Sequence, residues 1–139
     1  MTPQRITLIT LGVADLPRAR GFYETLGWTA HEATEGVAFY RMGGFALALF
    51  GRDALAADQG RPDAILGTGA VTLAQNFSDR EGVDDAFAQA LAAGASALKS
   101  PEPVFWGGYS GYYADPDGHV WEVAHNPFWP LDAEGWLAG

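Results

Sequence analysis

The sequence has 139 residues, of which 48% are hydrophobic, and it contains no cysteine. This length and composition predict one folded domain with its own core, and they exclude a disulfide framework, a thiolate nucleophile and a cysteine zinc site. The formal net charge of −9 falls entirely on residues 51–139, because residues 1–50 balance four Lys/Arg with four Asp/Glu. An acidic surface repels phosphate groups, so we expect neither nucleic acid nor a membrane as a partner.

The expected partner is instead a small molecule, and the negative charge favours a cationic one. No stretch of the sequence approaches the roughly 20 continuous apolar residues that a membrane span requires. The N-terminus runs directly into a predicted strand and lacks a cleavage-site pattern, so we expect it to belong to the mature protein. Together with the absence of cysteine, this predicts a cytoplasmic location.

A strand followed by a helix is predicted at the start of the chain. Residues 6–13 are β-branched and apolar, which is typical of a buried strand. Asp15 is a good helix N-cap, apolar residues then recur at helical spacing, and Gly27 is suited to end the helix. Three further strands are predicted from apolar runs, at 28–34, 37–42 and 45–50.

The second half of the chain repeats this order. Residues 51–68 contain Gly, Pro and Asp without clear periodicity, and we interpret them as a linker. Residues 70–77 then predict a strand, Ser78 and Glu81 form a capping-box pattern, and Gly94 is suited to end the helix that follows. Three more strands are predicted, at 96–100, 107–114 and 119–124. Both halves therefore have the predicted order β-α-β-β-β.

Two segments carry a family resemblance, GVADLPRARGFYETLGW at 12–28 and YYADPDGHVWEV at 112–123. With the tandem order they resemble the vicinal oxygen chelate superfamily, which includes glyoxalase I, ring-cleaving dioxygenases and bleomycin-resistance proteins. The resemblance implies a single α+β domain of two modules, about 4–50 and 69–125, whose curved sheets form a half-barrel cavity. We expect the aromatic tail, 126–139, to pack on the barrel or on a partner subunit. Dimers are common in this superfamily, so we expect a homodimer.

Metal enzymes of this superfamily use four ligand positions, which are usually His or Glu. Carried over by motif, these positions are Leu8, Ala70, Ala48 and Glu122. Only Glu122 can bind a metal, whereas such a centre needs about three protein ligands. Three histidines fall outside the ligand positions: His31, His119 and His125. We therefore expect no bound metal and no other cofactor.

The sequence DPDG at 115–118 suits a type I turn with a glycine bulge, which closes a hairpin between two strands. This register places Glu122 opposite Tyr112, whereas a two-residue loop would place Gly111 there. Ring-cleaving relatives keep a catalytic tyrosine across from the metal-binding glutamate, and this resemblance favours the first register. We expect five further residues to contact the ligand: Trp106, Ser110, Thr72, Asn76 and Thr10.

Two functions are compatible with these residues. The first is a metal-independent binding protein that sequesters a drug or metabolite, with a cationic or aromatic ligand. The second is a metal-free lyase or isomerase, with Glu122 as general base and Tyr112 as acid or oxyanion donor. A metal-dependent lyase or dioxygenase is the third alternative and lacks its ligands. The sequence leaves open whether the chain is an enzyme, and whether Glu122 is functional or a remnant of a lost metal site.

Overall fold

The computed structural model describes all residues from Met1 to Gly139, and the chain divides into two compact units, Met1–Gly67 and Thr68–Gly139. Each unit contains a four-stranded mixed sheet, and the chain has three helices. The predicted α+β class is therefore confirmed, as is the β-α-β-β-β order of each half. None of the helices has the length and apolar character that crossing a membrane would need.

The first unit forms the elements β1 (Leu8–Val13), α1 (Leu16–Thr25), β2 (Glu32–Ala33), β3 (Val37–Met42), β4 (Phe45–Gly51) and α2 (Arg52–Asp58). Its strand order is β1-β4-β3-β2, with β1 parallel to β4 and the other pairs antiparallel. Asp15 caps α1 as predicted, because its carboxylate accepts a hydrogen bond from the Arg18 N–H at 3.1 Å.

Helix α2 corrects the interpretation of residues 51–68 as a linker without regular structure. It forms two turns, packs on β1 and β4, and buries Ala56. A helix of seven residues holds too few apolar positions for a 3.6-residue period to be recognised from the sequence. No further helix or strand follows until β5 begins.

The second unit forms the elements β5 (Thr72–Asn76), α3 (Arg80–Ala93), β6 (Ser96–Pro103), β7 (Tyr109–Ala114) and β8 (Val120–His125). Its strand order is β5-β8-β7-β6, and β5 is parallel to β8. The predicted capping box is displaced by one residue, since Asp79 rather than Ser78 caps α3 by accepting the Gly82 N–H at 2.8 Å. Gly94 ends the helix in the left-handed conformation, as predicted.

Helix α3 packs on β6, β7 and β8 and defines one side of the second sheet. Tyr113 and Trp121 are buried on this side, with their rings stacked at a centroid distance of 6.5 Å. Tyr109 is four residues before Tyr113 and shares its side of the sheet. Its hydroxyl donates a hydrogen bond to Asp84 of α3 at 2.6 Å. We call the opposite side of this sheet the site face, and it carries Ser110, Tyr112 and Glu122.

The tail that follows β8 folds into a second tight turn. The Asp132 carboxylate accepts hydrogen bonds from the N–H groups of Glu134 and Trp136 at 3.0 and 2.9 Å. Gly135 takes a left-handed φ of 92°, and a single bridge joins the two arms beyond the turn. The pattern D-x-x-G is the same as in the hairpin turn between β7 and β8, and this repeat is the sequence signal that would have predicted the fold of the tail.

Candidate functional site

The turn between β7 and β8 has the three-residue loop that the sequence predicted. The Asp115 N–H donates to the His119 carbonyl, and the Gly118 N–H donates to the Asp115 carbonyl, both at 2.9 Å. Gly118 takes a left-handed φ of 94°, which favours glycine. The buried Asp115 carboxylate accepts hydrogen bonds from the N–H groups of Asp117 and His119, both at 2.9 Å. One side chain therefore holds the whole loop.

This turn places Tyr112 and Glu122 directly opposite each other, which confirms the favoured register. The alternative register is wrong, because Gly111 pairs with Val123 on the other side of the sheet. Tyr112 and Glu122 are both half-buried on the site face. The negative charge of the Glu122 carboxylate acts on the Tyr112 hydroxyl, which is the donor of this pair because an ionised carboxylate can only accept.

The pair of Tyr112 and Glu122 has a neighbouring residue on each of the two outer strands of the sheet. In the parallel pair Ala74 of β5 lies beside Glu122, and on the other side Lys99 of β6 lies beside Tyr112. The side chains of paired residues project to the same face, so Ala74, Glu122, Tyr112 and Lys99 form one row on the site face. A phenol therefore stands between a carboxylate and an ammonium group.

Lys99 was not predicted as a site residue. Strand β6 is interrupted by register shifts between Ala97 and Lys99 and between Lys99 and Glu102. Each irregularity breaks the two-residue alternation that assigns a side chain to a face, so the sequence alone could not place Lys99. Its ammonium forms an ion pair with the Glu102 carboxylate at 3.2 Å, and both side chains remain about half exposed, at 48% and 56%.

The surroundings of Tyr112 favour its neutral form. Burial raises the pKa of the Tyr112 hydroxyl above the usual tyrosine range, and the nearby Glu122 carboxylate raises the pKa further. The positive charge of Lys99 acts in the opposite direction. At neutral pH the hydroxyl therefore keeps its proton and remains a hydrogen-bond donor.

Three of the residues predicted to contact a ligand lie on the site face. Ser110 of β7 and Asn76 of β5 flank Ala124 of β8 from either side. Ser110 is buried, whereas Asn76 is half-buried. Thr72 lies at the exposed start of β5. Together with Glu122 these residues give the site face a polar centre, and their contact with a ligand stays a prediction.

Trp106 lies in the turn between β6 and β7 rather than on a strand. Hydrogen bonds between Val104 and Gly108 and between Gly107 and Val104 close this turn, and β7 begins only at Tyr109. The indole ring of Trp106 covers Gly108, where any side chain would collide with it. Trp106 therefore precedes the strand, as the predicted range 107–114 implied, and its contact with a ligand stays a prediction.

The remaining predicted residue, Thr10, belongs to the first unit. It lies on β1 opposite Ala48 of β4 and is half-buried. The equivalent position of the second sheet is Ala74, which lies opposite Glu122 in the same parallel arrangement. The role of Thr10 in ligand binding stays a prediction.

The helix caps revise one of the metal-ligand positions carried over from the superfamily. Leu8 lies seven residues before the N-cap Asp15, and the same count from the N-cap Asp79 leads to Thr72. Leu8 and Thr72 are also the first residues of β1 and β5, whereas Ala70 precedes the strand. The equivalent position in the second unit is therefore Thr72.

The revised donor set does not fit the metal centre that the superfamily implies. The four positions are Leu8, Ala48, Thr72 and Glu122, which offer one carboxylate, one hydroxyl and two hydrocarbon side chains. A divalent cation of this kind needs about three protein ligands with oxygen or nitrogen donors. No three His, Asp or Glu side chains lie together in a group that could hold a metal ion.

Comparison with proteins of known structure gives relatives along the whole chain. The chain is similar to a glyoxalase-related enzyme from Fulvimarina pelagi, with 37% identity, a TM-score of 0.91 and 99% of both chains covered. It is also similar to a glyoxalase/bleomycin resistance protein/dioxygenase from Nocardioides, with 26% identity and a TM-score of 0.76 over 90% of this chain and 85% of the other. A lactoylglutathione lyase from Agrobacterium tumefaciens shares the fold, at 24% identity and a TM-score of 0.68 over 94% of this chain and 100% of the other.

No curated protein sequence matches the chain. The family model described as Glyoxalase/Bleomycin resistance protein/Dioxygenase superfamily matches residues 5–123. This range includes all three helices and ends within β8. The motif resemblance, the tandem fold and this match agree. The chain belongs to the glyoxalase/bleomycin resistance protein/dioxygenase superfamily.

Proposed function

We propose that the protein binds a small molecule without a metal, and sequesters a drug or metabolite as its biological role. The observation that carries this proposal is the row of Glu122, Tyr112 and Lys99 on the site face. The row offers a carboxylate, a phenol and an ammonium side by side on the sheet, while the superfamily's metal-ligand positions lack the three donors that a metal centre needs. Such convergent polar groups orient a ligand, and the surrounding sheet supplies apolar contact.

The row also suggests the chemistry of the ligand. Glu122 has two carboxylate oxygens, and their lone pairs can accept hydrogen bonds from a donor on the ligand. An ammonium or hydroxyl group on a flat ring would satisfy this acceptor while the ring packs against the Tyr112 side chain. A cationic aromatic compound is therefore the first class to test, and it agrees with the negative charge of the second unit.

The test is a thermal-shift screen of cationic aromatic compounds, bleomycin included, followed by calorimetric titration of those that stabilise the protein. We expect Glu122→Gln to weaken binding at least about tenfold, because a charge-assisted hydrogen bond contributes about 1.5–3 kcal/mol. The matched control is Glu81→Gln on α3, an exposed residue away from the site face. Equal affinity of the two variants for every ligand would refute binding at Glu122.

A metal-free enzyme is the second candidate function, and the pairing of Tyr112 with Glu122 on the site face favours it. The carboxylate would remove a proton next to a carbonyl group, and the neutral phenol would donate a hydrogen bond to the enolate oxygen. The assay is exchange of α-protons of carbonyl compounds in D₂O, followed by proton NMR. We expect Glu122→Gln to slow exchange about 10²–10⁴-fold. Exchange at an unchanged rate would exclude Glu122 as the base.

Metal-dependent lyase or dioxygenase activity is the third alternative, and metal analysis tests it. We expect protein purified without chelator to contain far less than one equivalent of any transition metal, because a single carboxylate holds such an ion weakly. About one equivalent of bound metal would mean that the ligand positions are assigned wrongly. The expected homodimer, the cytoplasmic location and the absence of nucleic-acid and membrane partners stay predictions.

A further inference from the structure

A cavity of about 440 Å³ lies between the tail and the C-terminal ends of β5 and β8. Its lining includes Asn76, His125, Trp129, Asp132 and Glu134. Its volume falls within the roughly 300–1,000 Å³ of small-molecule sites. Neither Tyr112 nor Glu122 lines it, so it is separate from the row on the site face.

The charged residues of this cavity are all acidic. Asp132 and Glu134 line it, and no Lys or Arg does. Two backbone N–H groups hold one oxygen of the Asp132 carboxylate in the turn, which fixes the direction of this side chain. The second unit as a whole has ten Asp/Glu and two Lys/Arg, a net charge of −8, so the long-range field also attracts cations.

His125 contributes an imidazole ring to the wall. The Nδ1 atom of His125 lies 2.9 Å from the Phe77 carbonyl oxygen. A carbonyl can only accept, so Nδ1 donates this hydrogen bond. The hydrogen bond to Phe77 thus fixes the orientation of the imidazole in the wall.

Trp129 supplies the aromatic part of the wall. Its side chain is 55% exposed, so the indole ring is accessible to a ligand. The face of an indole ring attracts cations, and aromatic rings are a known means of binding quaternary ammonium ligands. We propose that this cavity is a binding site for a small organic cation, an amine or a quaternary ammonium compound.

This site is independent of the proposed function, because it shares only Asn76 with the residues predicted to contact a ligand on the site face. Either site can fail without the other. The two are distinguished by which amide groups respond to a ligand, since the cavity includes the segment Leu131–Gly135, which lies outside the sheet.

The test uses choline chloride and its neutral isostere 3,3-dimethylbutan-1-ol, titrated into ¹⁵N-labelled full-length protein. The two probes have the same shape and differ in charge. We expect choline to shift the Trp129 indole signal and the amides of Leu131–Gly135 saturably, and to bind at least about five-fold more tightly than the isostere. Trp129→Leu and Glu134→Gln should each weaken choline binding about five-fold. Glu32→Gln, the same chemical change at an exposed residue of the first unit, should leave it unchanged.

Three results would overturn the proposal: equal affinity for choline and the isostere, shifts confined to Tyr112, Glu122 and their neighbours, or no saturable shift. Trp129 and Glu134 are both exposed, so their replacement should preserve the fold. An unchanged dispersion of the other amide signals verifies this. Wild-type affinity in both variants would likewise exclude the cavity as the binding site.

Discussion

Replacement of Asp115 by alanine tests how the turn holds the row on the site face. The carboxylate accepts two backbone hydrogen bonds at 2.9 Å and is only 3% exposed. Each hydrogen bond to a charged group contributes at least about 1.5 kcal/mol, so the substitution should lower the free energy of unfolding by about 3 kcal/mol. For a chain of this length that corresponds to a fall in Tm of about 10–15 °C.

The assay is urea unfolding followed by circular dichroism, with calorimetry to measure Tm. Asp132→Ala is the matched control, since Asp132 makes the same two hydrogen bonds in the tail but is exposed. Solvent can replace those bonds, so we expect a cost of about 1 kcal/mol or less. Equal costs for the two variants would show that burial does not strengthen the turn, and a cost below about 1 kcal/mol for Asp115→Ala would refute its role.

Two further predictions concern the same sheet. Glu122→Gln should lower the pKa of the Tyr112 hydroxyl because it removes a negative charge, and Lys99→Met should raise it because it removes a positive one. Carbon-13 NMR of labelled tyrosine measures both shifts. Shifts of the same sign would contradict the placement of Tyr112 between Glu122 and Lys99. The raised pKa means that Tyr112 contributes stability below the usual tyrosine pKa, and loses it as the pH rises through the folded-state value. Gly111→Ala should destabilise the protein by about 2 kcal/mol in urea unfolding, because the added methyl group would lie 2.8–2.9 Å from backbone atoms of β6. In the control Gly21→Ala in α1, the added methyl group contacts no other atom, so this variant should be more stable by about 0.5–1 kcal/mol. A neutral Gly111→Ala would show that β6 can move.

The sequence was sufficient for the pairing of Tyr112 with Glu122, because that pairing depends on local rules. Proline and glycine at fixed offsets determine the loop length, and the loop length determines the register of both strands. Lys99 could not be found in this way. Its face depends on two irregularities in β6, and these arise where the strand approaches Gly111, which no local pattern of β6 reveals.

Other features escaped the sequence for related reasons. Ser78 and Asp79 are both good N-caps, and only the structure shows that the second forms the cap. Counting back from Asp79 makes Thr72, rather than Ala70, the equivalent of Leu8. The cavity beside Trp129 depends on how the tail returns to the ends of β5 and β8. The tail and the end of β5 are far apart in the sequence. Composition therefore showed that the tail is aromatic, but not that it forms a cavity with β5.

The connectivity of the second sheet has a kinetic consequence. Tyr112 and Glu122 are ten residues apart in the chain and meet in a hairpin, whereas Ala74 and Glu122 are separated by 48 residues and by α3. Closing the shorter loop costs less chain entropy, so the acid–phenol pair should form early in folding and β5 should join late. In the native state, openings that release β5 should leave the pair intact, and amide hydrogen exchange should be faster in β5 than in the hairpin.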